Sequence, residues 1–214
     1  MKDTTAEQQR EATARRLKEI KQSFRQMMDG AVAQSMRQKG VTYHLNWGAT
    51  LPRLREMADA YGPDYDLALA LWKEDIRECK ILATMMMPPR QILPEVVDIW
   101  MEQTKTQEVA EQASMNLYCR LPYAKEKAFC WMADQRELYQ LCGFLVVGRL
   151  FMNGYEPDER AIHEYVDQAL AALQGPSLMV KKAAMNSLQR FAAIALVYER
   201  IAKSALKQAH LDFL

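Results

Sequence analysis

Apolar residues recur at intervals of three and four along this 214-residue chain. Leu67, Leu69, Ala70, Leu71 and Trp72 form one short apolar block. Ile76, Cys79, Ala83 and Met87 continue it as a stripe in which Lys80 is the residue off type. Val96, Val97, Trp100 and Met101 repeat the pattern, as do Leu138, Leu141, Cys142, Leu145 and Val146. Val180, Ala183, Ala184, Ser187, Leu188 and Phe191 repeat it again. This is the period of a helix with one face turned to a core, and strand-like alternation is nowhere sustained over six residues. Breaks fall at Gly30, Gly40, Gly48, Gly62-Pro63, Pro88-Pro89, Pro122, Gly154 to Pro157 and Gly175-Pro176. The pattern predicts an all-α fold without β-sheet. Trp72, Ile76, Ala83, Trp100, Leu117, Trp131, Leu145 and Leu188 are its expected core residues.

Four segments align with one another: IRECKILATMM from Ile76, VAEQASMNLY from Val109, YQLCGFLVVG from Tyr139 and VKKAAMNSLQ from Val180. Their starts are 33, 30 and 41 residues apart, and each follows a helix apolar on one side. Helix pairs at such periods predict a HEAT-like or armadillo-like α-α superhelix. One pair cannot bury its own apolar face, whereas stacked pairs bury a continuous one. The expected domain is a single HEAT-like repeat unit over residues 17–214. Residues 1–40 read as a charged amphipathic helix to about Asp29, frayed over residues 1–16, and a shorter helix after Gly30. Phe24, Met27 and Met28 are the candidates to dock them.

Composition narrows the class. Half the residues are hydrophobic and 26% are charged, enough apolar material for a packed core. Only eight Gly and eight Pro in this length favour helix. No apolar run reaches the roughly 18 residues of a membrane span, and the opening MKDTTAEQQREATARR has no apolar segment, so a cytoplasmic protein is expected. The four cysteines (79, 119, 130 and 142) contain no Cys-x-x-Cys pair and read as reduced, mostly buried thiols. His44, His163 and His210 stand apart in sequence, so neither a metal nor another cofactor is expected.

The net charge is +1, but it is unevenly spread. Residues 1–40 carry nine basic and five acidic side chains, and residues 177–214 carry six and two. The stretch 91–176 is acidic. A strong nucleic-acid binder shows a larger basic excess than this.

Two stretches go beyond generic helix. One is Asn46-Trp47-Gly48-Ala49-Thr50-Leu51-Pro52-Arg53-Leu54-Arg55. The other runs from Leu71-Trp72-Lys73-Glu74-Asp75 through Ile76-Arg77-Glu78-Cys79-Lys80 to Ile81-Leu82-Ala83. Gly48 permits a tight backbone, Thr50 can cap, and Pro52 suits a first helical turn. In order and spacing these motifs resemble the AlkD-like DNA alkylation repair family, from about residue 30 to 200. The resemblance implies a HEAT-like superhelix with a cationic DNA-binding surface. It also implies a glycosylase that removes cationic N-alkylated purines with a carboxylate, an arginine and two tryptophans.

This chain departs from the family at those positions. The family's first Trp and its acid align with Glu108 and Gln112, its arginine with Leu141 and its second Trp with Asn186. An amide cannot supply a carboxylate's charge, and a leucine cannot clamp a phosphate. A one-residue shift of register puts Glu111 in the acidic role, so Glu108 and Glu111 are the candidate carboxylates. The alternative for both is a solvated acidic helix face.

Arg77, Lys80, Arg149, Lys181, Lys182 and Arg190 lie on the second helices of the repeats, which line the groove in the family. They read either as phosphate contacts or as ordinary solvated charge. His44 beside the first motif is a further possible DNA contact or a loop hydrogen-bonder, and Met85 to Met87 read as core. The expected partner is duplex DNA, alkylated or not. The competing partner is an unidentified protein, since stacked helix pairs also suit peptides.

Overall fold

A computed structural model describes residues 2–38 and 43–211. The break expected at Gly40 lies outside the described residues. The described residues form twelve α-helices and one 3-10 turn, and their nearest approach to a strand is an isolated bridge between Leu45 and Ile76. The chain divides into two compact units, Met1–Leu117 and Tyr118–Leu214.

The first unit holds α1 (Lys2–Gln26), α2 (Gly30–Gln38), α3 (Leu51–Tyr61), α4 (Tyr65–Lys73), α5 (Arg77–Met86), α6 (Pro94–Glu102) and α7 (Gln107–Asn116). Helix α5 packs against α3, α4 and α7, which explains why nearly all of its residues are buried. The aligned segments starting at Ile76 and Val109 are therefore neighbours, as the repeat reading requires. Asp64 starts α4 by accepting from the Leu67 amide at 2.9 Å, and Thr106 starts α7 by accepting from Val109 at 3.4 Å. Thr50 takes the cap position of α3 but makes no side-chain cap bond; Pro52 at the first turn has no amide to satisfy.

The centre of this unit is an aromatic stack. Trp72 lies flat on Trp100, with centroids 4.2 Å apart and planes 5° from parallel, and its indole N–H donates to Gln103 Oε1 at 2.8 Å. Helix α1 docks on α4. Its anchors are Ile20 and Phe24, whereas Met27 is only half-buried and Met28 is exposed. Arg16–Asp64 and Lys21–Glu74 (2.6 Å) add ion pairs at this contact.

The second unit holds the turn Tyr118–Arg120, α8 (Ala124–Met132), α9 (Glu137–Met152), α10 (Glu159–Gln174), α11 (Leu178–Ala192) and α12 (Leu196–Gln208). Helix α9 is apolar around most of its circumference because α8 and α11 both pack on it. Two mid-helix glycines make that possible. A Cβ on Gly143 would lie 2.6 Å from the Met132 amide nitrogen, and one on Gly148 would lie 3.1 Å from Arg190 Nη1. Close approach thus offsets the roughly 1 kcal/mol that glycine costs inside a helix. Phe151, Tyr165, Phe191 and Tyr198 form the aromatic core, and the Tyr165 hydroxyl meets Ser187 Oγ at 2.7 Å. Burial pushes the Tyr165 phenol well above its ordinary pKa, against the opposing Ser187 bond.

Of the expected core residues, Trp72, Ile76, Ala83, Trp100, Leu117, Trp131 and Leu188 are buried. Leu145 is only half-buried.

Candidate nucleic-acid interface

The two motifs meet in space. Gly48 sits at φ +75° where a Cβ would lie 2.4 Å from the Asp29 carbonyl oxygen, so only glycine fits this turn. The turn is held from the second motif. Glu78 accepts from the Trp47 and Ala49 amides, each at 3.2 Å, and Arg77 Nη1 donates to the Ala49 carbonyl at 2.9 Å. Arg77 also donates to Glu78 at 3.1 Å and grips Glu108 on α7 with Nε and Nη2 at 2.7 and 2.6 Å.

Arg77 is 1% exposed, Glu78 0% and the Glu108 side chain 26%. Burial alone would lower the Arg77 pKa, but the Glu108 hydrogen bonds and the charges of Glu108 and Glu78 outweigh it and raise the pKa. A buried charge of this kind persists only when its polar atoms are satisfied. Arg77, expected on a phosphate-contacting stripe, is instead an internal tie joining α5, α7 and the Gly48 turn. An arginine inside an otherwise ordinary Glu/Arg run gives no sequence signal for such burial.

The candidate carboxylates divide. Glu108 is the bidentate counter-ion of Arg77. Glu111 is half-buried and accepts from Gln107 Nε2 at 2.7 Å. Gln112 is buried and accepts from Asn116 Nδ2 at 3.3 Å, and that same nitrogen donates to Thr84. In the second unit Leu141 is a core residue and Asn186 is exposed. Of the aligned positions, Gln112 and Leu141 are thus buried, Asn186 is exposed, and Glu108 carries a carboxylate that is bound to Arg77.

The remaining cations are arranged otherwise. Lys182, Asn186 and Arg190 follow at i, i+4 and i+8 along one stripe of α11. Arg149 on α9 stands close enough to Arg190 to oppose its charge. Burial, reinforced by Arg149, lowers the Arg190 pKa. Arg149 also acts on Cys119, whose thiol burial pushes up and the Arg149 and Arg120 charges pull down. Lys181 is half-buried, one residue off the stripe. Among the described residues, none of Arg149, Lys181, Lys182 and Arg190 has a carboxylate partner. Two uncompensated arginines on packed helices make a local positive field that an anion would relieve.

Lys80 lies in the first unit, in a cleft of about 440 Å³ that Lys73, Asp75, Lys105 and Tyr43 also line. Tyr43 hydroxyl meets Thr106 Oγ1 at 2.7 Å, and its pKa is raised to about 12, chiefly by burial. Sequence reasoning found Lys80 but missed this setting. Lys105 and Tyr43 come from loops whose position no periodicity reports. His44 is exposed, its amide donating to Asp75 Oδ2 at 3.3 Å. Among the described residues no three His, Cys, Asp or Glu side chains group as a metal site, and no helix is long and apolar enough to cross a membrane.

Comparison with known proteins agrees with this architecture. The sequence model of the family described as DNA alkylation repair enzyme matches residues 20–193. No curated protein sequence matches the chain. A solved structure superposes with a TM-score of 0.78 at 15% identity, over 90% of this chain and 83% of the other. It is described as one of a new family of proteins related to the HEAT-like repeat DNA glycosylases, with affinity for branched DNA structures. At that identity the likeness shows the fold, a HEAT-like helical repeat.

Proposed function

The chain belongs to the DNA alkylation repair enzyme family, and from that premise we propose that it is a DNA-binding HEAT-repeat scaffold that releases alkylated purines poorly or not at all. One contrast carries the reading. Gln112 stands where the family's acid aligns, and the candidate carboxylate Glu108 is held as the counter-ion of buried Arg77, whereas among the described residues Arg149, Lys182 and Arg190 have no acidic partner. Phosphate contacts need such unneutralised cations. Glycosidic cleavage needs a carboxylate free to face the sugar, and losing one preorganised electrostatic group costs on the order of 100- to 1000-fold in rate.

The affinity described for the structural neighbour supports DNA binding, and makes branched DNA a ligand to compare with plain duplex. The acidic stretch 91–176 keeps the expected affinity modest. With three phosphate contacts, from Arg149, Lys182 and Arg190, the salt slope is about −2.7, or about a 40-fold loss of affinity between 50 and 200 mM salt. Fluorescence anisotropy with labelled duplex and four-way-junction DNA at those two salts tests this. A salt-independent affinity removes the phosphate account. No binding to either DNA favours a protein partner instead.

A further inference from the structure

A lysine ammonium normally extends into water, paired or solvated. The Lys80 side chain is half-buried and its ammonium turns back onto the protein. It donates to the Trp72 backbone carbonyl and lies 4.6 Å from the centroid of the Trp72 ring. Trp72 is 2% exposed and pinned by its stack on Trp100, so the lysine rests on a rigid floor. Among the described residues no carboxylate pairs with it. The charges that act on it are Asp75, Lys105 and, from its own helix, Cys79; Lys73 and Tyr43 line the same cleft. Burial, with Lys105 reinforcing it and Asp75 and Cys79 opposing, holds the amine below its ordinary value. That raises the neutral, nucleophilic fraction, which for an ordinary lysine near neutral pH is only about one part in a thousand.

The cleft is large enough for a sugar with its flanking phosphates. Lys73 and Lys105 supply positive charge there, and Tyr43 and Gln103 supply hydrogen-bonding groups. DNA offers one common aldehyde, the ring-opened sugar at a site that has lost its base. We propose that Lys80 captures the aldehyde of an abasic deoxyribose as an imine on the floor of this cleft. The inference rests on the DNA-binding reading. The Nζ lone pair adds to C1′, a proton passes from nitrogen to the former carbonyl oxygen, and the carbinolamine loses water to leave a C=N bond.

The test is reductive trapping. A duplex carrying one enzymatically generated abasic site is incubated with the full chain and sodium cyanoborohydride. Covalent adduct is read on a denaturing gel and mapped by mass spectrometry. The expected result is a one-to-one adduct on Lys80 that disappears in Lys80→Met and Lys80→Arg. Methionine keeps the stem against Trp72 and arginine keeps the charge, so the two variants separate the amine from packing and electrostatics. The trapping rate should rise with pH to a midpoint below that of an ordinary lysine. An adduct that maps to another residue, persists in both variants, or follows an ordinary lysine's pH profile overturns the proposal. A duplex carrying the tetrahydrofuran analogue, which cannot form an imine, separates the two claims. If it binds but the aldehyde is never trapped, the imine is wrong and DNA binding stands. If it does not bind, both fall.

Discussion

Replacing Glu108 with glutamine separates a structural carboxylate from a catalytic one. In the wild type, Glu108 accepts two charge-assisted bonds from an arginine that is 1% exposed. Glutamine keeps the shape but offers one oxygen, and it turns an NH2 group toward the guanidinium. A hydrogen bond to a charged partner contributes about 1.5–3 kcal/mol. Since the Glu108 side chain is a quarter exposed, a loss of about 2 kcal/mol is the fitting expectation. For a protein of this length that lowers Tm by about 4–8 °C. Arg77→Met should cost more, about 3–5 kcal/mol, because Glu78 would stay fully buried facing two backbone amides without its cation. Thermal unfolding of the two variants and of the double variant, followed by circular dichroism, measures both losses and their coupling. A Glu108→Gln protein with wild-type Tm refutes the tie. If that protein also loses base-release activity, Glu108 is the catalytic carboxylate.

Gly48→Ala should destabilise by more than about 2 kcal/mol, since a positive φ is joined by a 2.4 Å backbone clash. Gly62→Ala, at φ +71° in open space, should cost only about 1 kcal/mol; denaturant midpoints rank the two. Arg190→Ala should weaken DNA binding and reduce the magnitude of the salt slope by about 1, with Arg149→Ala doing the same, both read by anisotropy titration. An unchanged slope in both would place the DNA elsewhere on the molecule.

The helical class and the pairing of repeats were legible because they rest on period. Apolar spacing alone puts Trp72, Trp100 and Leu188 in the core, where all three are buried. The family resemblance was legible from Gly48 and the Leu71-Trp72 run, and residues 20–193 match the family. The roles within those motifs were not legible. Arg77 and Glu78 look like surface charges in a Glu/Arg-rich turn. Only the approach of the 46–50 loop and α7 turns them inward. The Lys80 cleft was hidden for the same reason. Three of its walls, Tyr43, Gln103 and Lys105, come from segments distant in sequence. On the second unit, Arg149 and Arg190 meet because Gly148 lets α11 come close, a contact that a glycine in a helix hints at but does not locate.

Release of 7-methylguanine from alkylated duplex DNA, with protein in excess at a concentration where anisotropy shows the DNA fully bound, confronts binding and chemistry in one tube. The account predicts saturated binding with base release no faster than spontaneous depurination. Release well above that background, abolished by Glu111→Gln with unchanged Tm, would show that a working carboxylate faces the sugar and would contradict it.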